Sequence, residues 1–87
     1  MPFKLILHRK VVKEIKRLPE PIHSRVIEAL KELAENPFAS DVKPLEGAVS
    51  VYRRRVGDYR IIFHVDFKQN VVFVSLVEHR SSVYKNF

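Results

Sequence analysis

Hydrophobic positions in this chain change period several times. Phe3, Leu5 and Leu7 alternate with Lys4, Ile6 and His8, the two-residue repeat of a short strand. The repeat then lengthens. Val11, Val12, Ile15 and Leu18 share one helical face, with Lys10, Lys13, Glu14, Lys16 and Arg17 elsewhere. "LPEP" at 18–21 ends that helix, because proline lacks an amide and restricts the residue before it. Pro21 suits the first turn of a second helix, where Ile22, Val26, Ala29, Leu30 and Leu33 make an apolar stripe. Lys31 and Glu35 are spaced as an i,i+4 pair on its outer side. "ENP" at 35–37 closes it. The two stripes predict a helical hairpin covering an apolar layer.

That layer is expected to be a sheet. "FASDVKPLEG" (38–47) reads as a loop, 50–56 as a strand, "GD" (57–58) as a hairpin turn and 59–66 as the returning strand. "KQN" (68–70) makes a second turn. "VVFVSLV" (71–77) is rich in β-formers, and its near-continuous apolarity predicts a central strand buried on both faces. Residues 80–87 form a short tail. The order is β-α-α-β-β-β, an α+β single domain over residues 1–87. Its helical hairpin packs on one face of a small, mostly antiparallel sheet.

Strand parity then asks where the arginines point. Tyr59, Ile61, Phe63 and Val65 share the face that belongs under the helices, which puts Arg60 on the open face. Tyr52 and Val56 fit the helix side, so Arg53 and Arg55 also emerge on the open face. Arg54 then points toward the helices and must escape at an edge or pair with a carboxylate such as Glu28 or Glu32, since an unpaired buried charge is very costly. The plainer reading of the open face is a solvated charged surface that blocks edge aggregation. The sharper one is an anion site, because neighbouring guanidinium groups repel unless an anion sits among them.

Charge narrows the choice of partner. The 87 residues carry a formal charge of +6, with 46% hydrophobic residues and no cysteine. Basic residues are spread evenly over the two halves, but four of them fall within 53–60. Such a local patch suits nucleic acid, a membrane surface or an acidic protein. Without cysteine, disulfides and thiolate zinc sites are excluded, and a reducing cytoplasm is the expected location. "MPFKLILHRK" has too short an apolar run for a signal peptide, and no stretch is long enough to span a bilayer. His8, His23, His64 and His79 lack metal-ligand spacing, and Gly47 and Gly57 make no phosphate loop. No metal or cofactor is expected.

The tail "EHRSSVYKNF" (78–87) adds His79, Arg80 and Tyr84. Metal-free phosphodiester cleavage needs cations on the phosphate, groups that take and give a proton, and gains from an aromatic on which a base can stack. Arginine matches phosphate oxygens with its fork. His79 and Tyr84 are candidates for the remaining tasks.

"PLEG" (44–47), "VYRRRVGDYRIIFHV" (51–65) and "EHRSSVYKNF" together resemble the RelE/ParE superfamily of toxins from type II toxin–antitoxin pairs, with a tail closer to RelE than to ParE. The resemblance implies a ribosome-dependent, metal-independent mRNA endonuclease that inhibits translation, and a small antitoxin that wraps the toxin. It implies that Arg53 and Arg55 lie along the scissile phosphate, that Arg60 and Arg80 stabilise it, and that Tyr84 stacks on a substrate base. Some RelE toxins carry lysines at the first two positions, one proposed as general base. Both are arginine here, and arginine is too basic for that task. His79 is the substitute. Arg54 also departs from the family, where the position is usually apolar. Two alternatives follow: a ParE-like, non-enzymatic gyrase inhibitor, and a catalytically decayed toxin that acts through antitoxin binding.

Overall fold

The computed structural model describes residues 2–39 and 41–81. The elements run β1 (Lys4–Leu7), α1 (Arg9–Arg17), α2 (Ile22–Glu35), β2 (Val42–Pro44), β3 (Val51–Val56), β4 (Tyr59–Asp66) and β5 (Val71–His79). Among the described residues the strands form a five-stranded sheet in the order β1-β5-β4-β3-β2. β1 runs parallel to β5, and the other pairings are antiparallel. The β-α-α-β-β-β order holds, with one addition. The loop after α2 contains the short edge strand β2, which pairs Val42 with Arg54 and Lys43 with Arg53.

Each helix has an identifiable beginning. The His8 side chain caps α1 by accepting from the Lys10 N–H at 3.0 Å. Pro21, the N-cap of α2, offers no side-chain acceptor. Glu20 takes that role, its Oε1 accepting from the Ser24 N–H at 2.8 Å and its Oε2 from the Ser24 hydroxyl at 2.7 Å. The hairpin between the helices is tied by the His23 Nδ1–H, which donates to the Ile15 carbonyl at 2.9 Å.

Both helices lie on one face of the sheet, α1 against β5 and α2 against β3 and β1. The core between them holds Val11 and Ile15 of α1, with Val26, Ala29, Leu30 and Leu33 of α2. From the strands it takes Val56, Ile61, Phe63, Val65, Val72, Val74 and Val77. Burying each large side chain contributes about 1.5–3 kcal/mol. Val12 is not part of this core and stays 38% exposed, so the buried stripe of α1 is narrower than its pattern suggests. Lys31 pairs with Glu28 at 3.6 Å rather than with Glu35, on an exposed surface where such pairs add little.

Two turns set the sheet's register. Gly57 adopts a φ of +60° that its neighbour Asp58 does not share, the pattern of a two-residue hairpin with glycine first. Between β4 and β5, Asp66 Oδ1 accepts from the N–H groups of Lys68 (2.9 Å) and Gln69 (3.1 Å).

One irregularity redirects the end of β5. Phe63 pairs with Val74 but Ile62 pairs with Leu76, so Ser75 is an extra residue in β5. Val74 and Val77 therefore both face the helices, although three positions separate them. The apolar run in β5 thus comes partly from this change of face. Phe73 and Leu76, on the open face, are only half-buried.

Candidate functional site

The open face of the sheet carries the charge. Cross-strand pairing places Arg55 opposite Arg60, and Arg60 opposite Glu78, in one row across β3, β4 and β5. The next row is Lys43, Arg53, Ile62 and Leu76. Below it lie Val51, His64, Phe73 and Ile6, with the His64 and Phe73 rings stacked at 5.1 Å. One half of the face is therefore cationic and the other largely apolar.

Arg80 joins the cationic half through the backbone. Its N–H donates to the Asp58 carbonyl at 2.7 Å, which fastens the end of β5 to the turn between β3 and β4. Arg55, Arg60 and Arg80 consequently line one hollow of about 200 Å³ with Gly57, Asp58 and Tyr59. A second hollow of about 200 Å³ is lined by Asp41, Lys43, Arg53 and Arg55. Arg55 belongs to both, so Lys43, Arg53, Arg55, Arg60 and Arg80 form one continuous basic surface. Arg53 and Arg60 are half-buried, whereas Arg55 and Arg80 are exposed. Arg60 Nε is buried without an acceptor. Among the described residues, neither Arg60 nor Glu78 is in an ion pair.

Four of the six candidates from the sequence are thus brought together: Arg53, Arg55, Arg60 and Arg80. His79 does not join them. The extra residue in β5 pairs His79 with Tyr59, on the side of the sheet that faces the helices. Its ring stands edge-on to Tyr59 at 5.0 Å, and its Nδ1 lies 2.7 Å from the Ser81 hydroxyl. Tyr84 lies outside the described residues.

Sequence reasoning missed Lys43, Asp58 and Glu78. Lys43 gives no sequence signal, since β2 is three residues inside a loop. Glu78 follows from parity only when the extra residue is known. Arg54, by contrast, is found where parity put it. It faces α2 and bonds Glu32 at 2.9 Å.

In chemical terms the surface offers several forked donors, most of them on strands, in an arrangement suited to oxyanions along a charged backbone. Among the described residues, no cluster of His, Cys, Asp or Glu could hold a metal ion, and no helix is long and apolar enough to cross a membrane.

Comparison with known proteins places this chain in a family. Residues 5–84 match the family described as the ParE toxin of the type II toxin-antitoxin system, parDE. Toxin RelE3 of Methanocaldococcus jannaschii is 30% identical over 88 residues, which cover 97% of this chain and 98% of that one. The chain in the archaeal RelE–RelB complex from Pyrococcus horikoshii superposes with a TM-score of 0.81 at 33% identity, over 92% of this chain and 97% of that one. The isolated RelE toxin of Escherichia coli gives a TM-score of 0.78 at 26% identity, over 97% and 93%. The shared sheet, the shared helical hairpin and matches that run nearly end to end agree: the chain belongs to the RelE/ParE superfamily of type II toxin–antitoxin toxins, as a RelE-type member.

Proposed function

We propose that this toxin is a metal-independent endoribonuclease that cuts mRNA in the ribosomal decoding site and so inhibits translation. The observation that carries the reading is the convergence of Arg55, Arg60 and Arg80 on one hollow, with Arg53 beside them. In the reaction the ribose 2′-hydroxyl attacks the adjacent phosphorus and expels the 5′-oxygen, leaving a 2′,3′-cyclic phosphate or its 3′-phosphate hydrolysis product. Negative charge grows on the phosphoryl oxygens as the pentacoordinate state forms. Preorganised guanidinium forks stabilise that state more than the ground state. Strands carry Arg53, Arg55 and Arg60, and the backbone bond to Asp58 positions Arg80 just beyond β5, which limits the reorganisation the reaction requires. Tyr84 is the candidate for stacking on a base.

The partner is a cognate antitoxin. The Pyrococcus horikoshii relative is found in a RelE–RelB complex, and the open face here suits a segment with acidic and apolar parts. Arg53, Arg55 and Arg60 attract the acids, while Ile62, Phe73 and Leu76 offer half-buried apolar surface beside them. Primer extension on mRNA after induction, with and without ribosomes, tests the enzymatic reading. Ribosome-dependent cuts within codons are expected.

One observation favours a second reading. Neither Arg53 nor Arg55 can serve as the base, so the arginine surface by itself binds without completing the chemistry. A toxin acting without cleavage, by gyrase inhibition or through antitoxin binding, would give no cuts in the same assay.

A further inference from the structure

The geometry points to Glu78 as the general base of the cleavage reaction, an inference that rests on the endoribonuclease reading above. Glu78 is opposite Arg60 on the open face, and Arg60 is opposite Arg55. Directly opposed side chains in an antiparallel pair have Cβ atoms about 4.5–5.5 Å apart. The carboxylate is thus one strand away from the guanidinium that holds the phosphate. That is the neighbourhood in which the attacking 2′-hydroxyl must lie, since it belongs to the sugar joined to that phosphate.

Three further observations support the assignment. The extra residue at Ser75 is what turns Glu78 to the open face and His79 away from it. Glu78 is half-buried on a strand, so its position is fixed, yet among the described residues no ion pair occupies its carboxylate. An ionised carboxylate is purely an acceptor, whereas every other charged group in its row is a guanidinium that cannot give up its proton. Asp58, rather than Glu78, lines the hollow itself, but it sits exposed on the tip of the turn.

The step balances without a further reagent. The Glu78 carboxylate takes the proton of the 2′-hydroxyl as the 2′-oxygen–phosphorus bond forms. The bond from phosphorus to the 5′-oxygen breaks, and the leaving oxygen takes a proton from water. The charged groups around Glu78 are Arg60 across the strand, Arg55 beyond it, Arg53 one row below and Arg80 two positions on. On its other side, α1 presents Glu14, whose carboxylate accepts from the Val77 N–H at 3.4 Å.

Single-turnover cleavage on mRNA-programmed ribosomes, followed against pH, tests this. The wild-type rate should fall toward acid, because a base must be ionised to act. Glu78→Gln should slow cleavage by a factor of about 10²–10⁴ and abolish that acid limb. Glu78→Asp should keep the limb at a reduced rate, and circular dichroism should report a native fold for both. A wild-type rate in Glu78→Gln would overturn the assignment. So would a uniform loss with the limb retained, which is the signature of merely holding Arg60. Loss of the limb in Asp58→Asn instead would move the base to the turn. In each of these cases wild-type cleavage persists and the endoribonuclease reading stands. Absence of wild-type cleavage would remove both.

Discussion

Arg54 Nη2 lies 2.9 Å from Glu32 Oε1, with the arginine side chain 12% exposed and the glutamate 55%. The pair joins β3 to α2 from the buried side of the sheet. It is incomplete, since Arg54 Nε and Nη1 are buried without acceptors. Those two donors lose water on folding and regain nothing, which offsets part of what the ion pair contributes.

Opposite outcomes are expected from its two ends. Glu32→Ala strands a buried guanidinium and should destabilise the fold. Breaking a fully buried pair costs about 3–5 kcal/mol, and the half-exposed glutamate reduces this to roughly 1–2 kcal/mol. Arg54→Leu removes the charge together with its unmet donors. It should be neutral or stabilising, by up to about 2 kcal/mol. Urea unfolding of the antitoxin-free toxin measures both. Equal destabilisation by the two variants would mean that the pair is worth more than its desolvation.

His79 should matter to stability and little to cleavage. Its ring packs edge-on to Tyr59, away from the arginine row, and an aromatic pair of this kind is worth about 0.5–1.5 kcal/mol. His79→Ala should lower stability by that order and leave single-turnover cleavage within a few-fold of wild type. A hundredfold slower reaction in a folded His79→Ala protein would return the base to the histidine.

The contrast between Arg54 and His79 shows what can be read from the chain. Parity works where apolar and polar residues alternate, as in β3 and β4, so the direction of Arg54 follows from the sequence, while the structure decides between edge escape and a partner on α2 in favour of Glu32. "VVFVSLV" does not alternate, and nothing in it reveals that Ser75 shifts the register. Every residue beyond that point therefore lands on the face opposite to the one counting suggests, Glu78 and His79 included. β2 was illegible for a different reason. Three residues ending in proline have no periodicity to read, and only pairing with β3 makes them a strand. The parallel partnership of β1 with β5 likewise depends on where the helical hairpin returns the chain.

Glu20 should titrate below the ordinary range for glutamate. The hydrogen bond from the Ser24 hydroxyl is the main cause, followed by the one from the Ser24 N–H. A lowered folded-state value means that its contribution is complete above the unfolded value. The contribution fades as pH falls through the lower, folded one. An NMR titration of the Glu20 side chain should show the depressed midpoint, and Ser24→Ala should bring it back toward that of a free glutamate. An ordinary midpoint in the wild type would mean that Glu20 does not cap α2 in solution.

Arg55 and Arg60 are like charges directly opposite each other, an arrangement that costs about 0.2–1 kcal/mol in a sheet. Arg55→Ala should therefore raise stability by a few tenths of a kcal/mol while slowing cleavage. The expected trade of activity for stability marks the row as a site rather than a scaffold. Arg55→Glu should stabilise further, by placing an anion opposite Arg60, and should abolish binding of the mRNA phosphate. If Arg55→Ala both destabilises the fold and cuts at the wild-type rate, the arginine row is a solvated surface and not an anion site.

Arg80 gives the most direct measure of transition-state stabilisation. Its attachment to Asp58 uses the backbone N–H, so substitution of the exposed side chain leaves that bond in place. Stability should stay within about 0.5 kcal/mol of wild type, as for other surface changes. Removing one preorganised donor from a developing oxyanion costs on the order of 3–4 kcal/mol of barrier, so Arg80→Ala should cut about a hundred to a thousand times more slowly. Arg80→Lys should recover only part of the rate, because a single ammonium cannot span two phosphoryl oxygens as the fork does. Substrate binding should change much less than the rate, since the interaction strengthens as charge moves onto those oxygens. Single-turnover cleavage on programmed ribosomes separates the two quantities. If Arg80→Ala weakens binding and leaves the saturated rate untouched, Arg80 steers the mRNA into the site and the transition-state charge is carried by Arg60 and Arg55.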